Sequence, residues 1–316
     1  MRYFGKTGMK IKRVGFGGIP IQRISQEDTN KVIDELEKCG VNFIDTARGY
    51  TVSEEYLGNA LKGRREKFYI ATKSMSRDYE SMKRDIEISL KNLQTDYIDL
   101  YQMHNVKPAE YDTLFGEDKA YRALLEAKEQ GKIKHIGITS HGLETVEKAV
   151  ESDKFETIQF PYNIVENQAD EVFKRAYEKG VGTIVMKPLA GGAIDDGTLA
   201  MKYLLSREYI DVAIPGMDSP QQVIENTDVL QNYELTEEDN KKIAKIKSEL
   251  GTNFCRRCEY CLPCPKGINI PQNFLLEGYY NRYNLKDWAV DRYRGLAENE
   301  RASNCIECGA CQKKCP

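Results

Sequence analysis

The chain has 316 residues, 41% of them hydrophobic and 30% charged, which is enough for one large core or for two domains. Its 46 basic and 49 acidic residues leave a net charge of −3, which removes any bulk electrostatic case for binding nucleic acid or an anionic membrane. No apolar run reaches the roughly 18 residues of a membrane span, and Met1-Arg2-Tyr3-Phe4-Gly5-Lys6 lacks the apolar stretch of a signal peptide, so the expected compartment is the cytoplasm.

In chain order, Arg2-Tyr3-Phe4, a Lys6-Thr7-Gly8 turn and Lys10 to Val14 predict a hairpin that plugs the base of a larger fold. Gly15-Phe16-Gly17-Gly18 then reads as a glycine-relaxed strand end. It lacks the GxGxxG spacing and gives no support to a Rossmann phosphate loop. Ser25 can cap a helix from Gln26 to Cys39, with Val32, Ile33, Leu36 and Cys39 at helical spacing and Gly40 as its stop.

After a first strand near 12–17, strand-like runs recur near 42–47, 68–73, 97–104, 135–140, 157–162, 182–187 and 212–216. Amphipathic stretches alternate with them: Ser53 to Leu61, Tyr79 to Leu93, Asp118 to Gln130, Leu143 to Ser152, Asp170 to Lys179 and Thr198 to Ser206. Eight strands separated by helices favour a closed parallel (β/α)8 barrel, with a doubly wound open sheet as the alternative. In both, function sits at the carboxyl ends of the strands.

Three of those ends carry complementary chemistry. Phe43-Ile44-Asp45-Thr46-Ala47-Arg48-Gly49-Tyr50 runs from a strand into an acid and a tyrosine, Ile70-Ala71-Thr72-Lys73 ends in a lysine, and Tyr97 to His104 ends in a histidine. Brought to one mouth, Asp45, Tyr50, Lys73 and His104 form an acid–base set for carbonyl chemistry. Tyr50 supplies a proton, Lys73 lowers its pKa, Asp45 holds the lysine charged, and His104 donates to the substrate oxygen or relays a proton. Taken singly, each is as readily a structural ion pair or a core histidine.

These residues resemble the aldo-keto reductases. The likeness rests on Phe43 to Tyr50 followed by Ser53-Glu54-Glu55-Tyr56-Leu57-Gly58, on Ala71-Thr72-Lys73, and on Tyr101-Gln102-Met103-His104, and it covers about residues 1–250. It implies a (β/α)8 barrel that binds NAD(P)H without a Rossmann domain, uses the Asp, Tyr, Lys, His set, and takes a small-molecule carbonyl or alcohol substrate. Further family signatures stand at Gly137-Ile138-Thr139-Ser140, Ile158-Gln159-Phe160, Lys187-Pro188-Leu189-Ala190-Gly191-Gly192, Ile214-Pro215-Gly216 and Glu225-Asn226. By resemblance, Thr139, Ser140 and Gln159 hold the nicotinamide carboxamide, the backbone near Leu189 and Gly191 approaches the pyrophosphate, and Lys187, Gly216, Gln222 and Asn226 complete the cofactor positions. Two positions depart from the pattern. Met186 replaces an aromatic that stacks on nicotinamide, and Gln222 replaces an arginine for the adenosine 2′-phosphate, leaving NADH as open as NADPH.

Of nine cysteines only Cys39 precedes residue 255. A polar helix starting at Leu235-Thr236-Glu237-Glu238 and ending at Gly251 leads to Cys255, Cys258, Cys261 and Cys264-Pro265, and later to Cys305, Cys308, Cys311 and Cys315-Pro316. Three thiols at two-residue gaps and a fourth followed by proline, twice over, fit two 4Fe-4S clusters of the bacterial ferredoxin kind. In such proteins the fourth cysteine of each run serves the other cluster, pairing Cys315 with the first three and Cys264 with the second three. Zinc is the alternative. Between the runs, Ile270 to Leu276 and Tyr279, Tyr280, Tyr283, Trp288 and Tyr293 predict helices that pack and dock onto the barrel. The expected plan is thus a barrel over 1–250 and a helical, ferredoxin-like domain over 251–316, resembling a subset of the family with such an extension.

The tail divides the functional expectation. One reading is an NAD(P)H-dependent carbonyl reductase whose clusters are structural or regulatory. The other is an electron-transfer enzyme whose clusters exchange single electrons between a redox partner protein and a barrel-bound flavin. A reductase-like sensor protein is the third, disfavoured because all four catalytic positions are intact.

Overall fold

The computed structural model describes residues 1–250, 255, 261–281 and 286–315. Two short strands, β1 (Arg2–Tyr3) and β2 (Lys10–Ile11), pair antiparallel as the predicted hairpin. Eight parallel strands follow: β3 (Phe16–Gly17), β4 (Phe43–Asp45), β5 (Tyr69–Ser74), β6 (Ile98–Met103), β7 (Ile133–Thr139), β8 (Thr157–Pro161), β9 (Gly182–Met186) and β10 (Val212–Ala213). Each pairs with its neighbour in sequence order, and parallel bridges Val14 to Ala213 and Gly17 to Gly216 join the last strand to the first. The fold is therefore the (β/α)8 barrel, not the open sheet.

The opening glycine run has a specific job in that closure. Gly15 and Gly17 donate their N–H groups to Ala213 O and Pro215 O at 2.9 Å each. A Cβ on Gly17 would stand 2.8 Å from Ile214 O, so only glycine lets the first and last strands meet.

The helices α1 (Gln26–Lys38), α2 (Ser53–Ala60), α3 (Tyr79–Leu93), α4 (Ala120–Glu129), α5 (Leu143–Glu151), α6 (Asp170–Lys179), α7 (Gly197–Leu205) and α8 (Pro220–Asp228) alternate with the strands. Ser25 caps α1 by accepting from Asp28 N, and Gly40 follows at φ +70°, as the sequence predicts. The sequence reading missed α8, whose helix propensity is low. Ser219 at its N-cap and Pro220 at its first turn were the signals for it.

Inward and outward strand positions alternate, giving two cores. The inner one stacks Phe43, Ala71, Leu100, Ile184, Val212 and Ile214 on Phe4, Met9 and Ile11 of the hairpin. Phe4 packs edge-on to Phe43 at 5.5 Å and lies against Gly182, so the hairpin closes the bottom of the barrel. Burying that ring contributes about 2 to 3 kcal/mol. The outer core lies between strands and helices and reaches Leu250 through α9 (Glu237–Leu250). With the bottom filled, the open end is the C-terminal mouth.

Beyond it, α10 (Ile270–Asn281) and α11 (Lys286–Arg294) pack together, with Tyr279 edge-on to Trp288 at 4.9 Å. Asn273 donates to Glu300 O (2.8 Å) and accepts from Ala302 N (2.9 Å), pinning the segment that leads to the second cysteine run against α10. Gly251, Cys258, Tyr283 and Pro316, all named above, lie outside the described residues. Among the described residues no helix is long and apolar enough to cross a membrane.

Candidate active site

Asp45 closes β4, Lys73 sits near the end of β5, and His104 follows β6, all on the inward side of the wall. The loop after β4 continues to pair with β5, as Thr46 N donates to Ala71 O and Arg48 N to Lys73 O. A turn then presents Tyr50, whose N–H reaches Ala47 O at 3.0 Å. The four residues predicted to share one mouth do share it.

At its centre Lys73 Nζ donates to Asp45 Oδ2 and to Thr46 O, each at 2.6 Å, and both side chains are almost wholly buried. Burial pushes the Asp45 carboxyl up and the Lys73 ammonium down, and each partner opposes the other's shift. Lys73 Nζ lies 5.0 Å from the centre of the Tyr50 ring, and the His104 ring meets Tyr50 edge-on at 5.8 Å.

One expectation about protonation needs correcting. The Tyr50 hydroxyl is raised above the ordinary tyrosine value by burial, with Asp45 and then Tyr279 of α10 adding to it, so the resting phenol is a neutral donor. The ammonium of Lys73 does not reverse this, because its nearest charge partner is Asp45. His104 is depressed to about 3 by burial, Lys73 and Arg77, in that order, and is neutral at physiological pH. It can therefore offer a ring N–H to an oxygen, and a relay through it runs by uptake at one ring nitrogen and release from the other. Its Nδ1 is buried without a hydrogen-bond partner.

Behind these groups stands a network that sequence reasoning passed over. Glu54, 1% exposed, accepts from Thr72 and Ser89 hydroxyls at 2.7 Å each, from Arg48 Nη1 at 3.1 Å and from Asn92 Nδ2 at 3.3 Å. It ties the loop that carries Tyr50 to β5 and α3. Gln102 is a second omission: its amide donates to Asp45 Oδ1 and Gln159 Oε1. Its period-two spacing with Leu100 and His104 was the signal that it faces inward.

The expected cofactor positions are spread around the mouth in differing states. Thr139 Oγ1 accepts from Asn105 N at 2.7 Å. Ser140 is fully buried, with its hydroxyl donating to Val106 O (2.6 Å) and accepting from Gly142 N (2.9 Å), so it supports the loop after β6. Gln159 faces Gln102 and Asp45. Lys187, Ala190, Gly191 and Gly192 all have positive φ, and Leu189 lies half-buried among them, in a tight turn of the kind whose amides cradle phosphate. Met186 lies at the end of β9, packed against the inner core.

Gly216 approaches the first strand at Gly17. At the start of α8, Gln222 Oε1 accepts from Asp218 N (2.8 Å), Asn226 Nδ2 donates to Gln222 O (2.8 Å), and Asp218 pairs with Arg23 at 3.2 Å. Hydroxyl, amide and glycine groups thus suit a nicotinamide dinucleotide, while the α8 end presents the neutral Gln222 and an Arg23 already paired with Asp218.

Seven of the eight tail cysteines are described, and none of the seven forms a disulfide with another described residue. Lys266 N and Glu307 N donate to the sulfurs of Cys264 and Cys305 at 3.4 Å, the bonding that backbone turns offer to thiolates. Among the described residues no three metal-ligating side chains converge on one point, so what fits iron–sulfur ligation is the donor chemistry of the thiols and their turns.

Comparison with known proteins agrees with this anatomy. Residues 13–198 match the model of the aldo/keto reductase family, and residues 254–316 match that of a 4Fe-4S dicluster domain. The chain is 26% identical to L-galactose dehydrogenase of Arabidopsis thaliana, over 79% of this chain and 94% of that protein. It is 29% identical to methylglyoxal reductase DkgA of Escherichia coli, over 72% of this chain and 88% of the relative. The holo form of an aldo-keto reductase from Bacillus halodurans superposes with a TM-score of 0.69 at 26% identity, covering 78% of this chain and 95% of that one.

Proposed function

Given that this chain belongs to the aldo/keto reductase family and carries a 4Fe-4S dicluster domain, we propose that its barrel, residues 1–250, interconverts a small-molecule carbonyl and its alcohol with a nicotinamide cofactor. The bound nicotinamide supplies or accepts hydride at the carbonyl carbon. The observation that carries this reading is the convergence of Tyr50, Lys73, Asp45 and His104 at the one open end of the barrel.

In that reading the neutral Tyr50 hydroxyl donates its proton to the carbonyl oxygen as charge develops there. Lys73, held by Asp45 and Thr46 O, faces the ring and stabilises the phenolate that results. His104, neutral, adds a hydrogen bond to the same oxygen. Thr139, Gln159, the turn from Lys187 to Gly192, Gly216 and Asn226 hold the cofactor, and Ser140 acts by supporting the loop beside it. Gln222, which is neutral, and Arg23, whose charge is already paired with Asp218, favour NADH over NADPH, since neither offers a 2′-phosphate a free charged fork.

The tail, residues 251–316, holds two 4Fe-4S clusters on Cys255, Cys258, Cys261, Cys264, Cys305, Cys308, Cys311 and Cys315, which supply single-electron chemistry when bound. A reducing cytoplasm keeps such thiols competent. Tyr279 on α10, within electrostatic reach of Tyr50, favours a second reading in which tail and mouth communicate and the clusters serve a flavin or a redox partner.

Anaerobic titration of cluster-replete protein with NADH and NADPH, following nicotinamide fluorescence and the visible cluster absorbance, separates the two. Saturable NADH binding without bleaching supports the reductase. Bleaching supports electronic connection, and no nicotinamide binding removes the first reading.

A further inference from the structure

Gln102 is fully buried and stands in register beside Lys73 on β5 and Gly137 on β7. Its Nε2 donates to Asp45 Oδ1 at 3.3 Å and to Gln159 Oε1 at 2.9 Å. Both partners are pure acceptors at those atoms, so only the NH2 end can face them. The reverse orientation would set a carbonyl against a carboxylate and a second carbonyl. The consequence is visible at the other end of the amide, where Oε1 is buried without a donor. A buried acceptor left unpaired is a cost that native cores seldom carry without a return.

The return is reach. To touch Gln159 on β8, the Gln102 side chain must cross in front of β7, and it does so where position 137 has no side chain. A Cβ on Gly137 would lie 3.1 Å from Gln102 Cγ and 2.2 Å from Thr157 Oγ1. Glycine at 137, the fixed amide of Gln102 and the inward-turned carbonyl of Gln159 form one arrangement. It runs from the Lys73–Asp45 pair on one side of the barrel to β8 on the other.

We propose that Gln102 is a positioning residue that couples the Lys73–Asp45 ion pair to Gln159, so that cofactor-amide binding and the protonation state of the pair influence each other. By holding Gln159 Oε1 inward, it leaves the Gln159 NH2 to face Asp45 and the mouth. Any movement of Gln159 on engaging a carboxamide is then felt at Asp45, and the coupling is reciprocal. The inference rests on the nicotinamide reading above.

The test is a double-mutant cycle in the full-length, cluster-replete protein, with NADH affinity by fluorescence, the pH profile of kcat, and thermal unfolding as readouts. Gln102→Met and Gln159→Met are each expected to weaken NADH roughly three- to tenfold, and the double variant no more than the stronger single one, as coupled neighbours behave. Gln102→Met is also expected to move the pH midpoint of kcat. Additive losses with an unmoved pH profile would overturn the proposal and leave the nicotinamide reading standing.

If the wild type binds no nicotinamide, the parent reading fails. The tie is then read in the cofactor-free protein as non-additivity between Gln102→Met and Asp45→Asn in the unfolding temperature, and additivity there overturns it. Should Gln102→Met not fold, Gln102→Leu, which is smaller and removes the amide without adding a charge, takes its place in the same cycle.

Discussion

His104→Phe tests the electrostatics of the mouth most directly. In the folded protein His104 titrates near 3, against 6.5 for an unperturbed histidine, because burial, Lys73 and Arg77 oppose its charge. Between those values the unfolded chain binds a proton that the native state refuses. The contribution is intact above pH 6.5 and is lost as the pH falls toward 3. Across the whole window it amounts to about 5 kcal/mol, and between pH 7 and pH 5 to about 2 kcal/mol.

Asp211 works in the opposite direction. Burial raises it from 3.8 to about 6, so its native form gains a proton on the way down to pH 5 and returns about 1 kcal/mol. The wild type alone therefore shows only the balance. The difference between wild type and His104→Phe isolates the histidine, since phenylalanine keeps an aromatic edge against Tyr50, does not titrate, and leaves Asp211 untouched. Urea unfolding at pH 7 and pH 5 should show the variant gaining about 2 kcal/mol on the wild type at the lower pH. Equal pH dependence in the two proteins would refute the claim that His104 is held neutral by its surroundings.

Tyr50→Phe should lower kcat about 10²- to 10⁴-fold while nicotinamide affinity stays as it was, because only a proton donor is removed; turnover retained within a factor of two would sink its role. Glu54→Ala leaves Arg48, Thr72 and Ser89 facing a buried void and should cost about 3 kcal/mol in urea unfolding, whereas a loss below about 1 kcal/mol would show the network to be dispensable. Gly58→Ala drives a Cβ to within 2.2 Å of Asn92 O where α2 crosses the end of α3, and should destabilise by about 2 to 3 kcal/mol; an unchanged midpoint would contradict that packing. Stripping iron with a chelator should lower the helical signal of the tail but leave the barrel's unfolding midpoint in place, since among the described residues neither hydrophobic core includes one beyond Leu250. A barrel that unfolds with the tail would refute that independence.

Much of this was legible in the chain because it is local. Alternating strand and helix periods set the barrel's elements, Ser25 and Gly40 marked the ends of α1, and the strand ends at Asp45, Lys73 and His104 announced a shared mouth. The cysteine spacing likewise declared the dicluster tail ahead of any tertiary structure. What tertiary structure decided is what depends on partners far apart in sequence. Closure through Gly17 and Gly216, the crossing of Gln102 to Gln159, and the diversion of Ser140 to a neighbouring loop are set by pairing across the barrel, which no local window encodes.

Protonation belongs to the same class. The sequence placed a lysine near a tyrosine and implied a lowered pKa, but the fold desolvates the half-buried Tyr50, pairs the lysine with Asp45 and sets Tyr279 within electrostatic reach, so the shift runs upward. Residue types fix which groups can titrate. Burial and the geometry of their neighbours fix when they do, and both exist only once the chain has closed on itself.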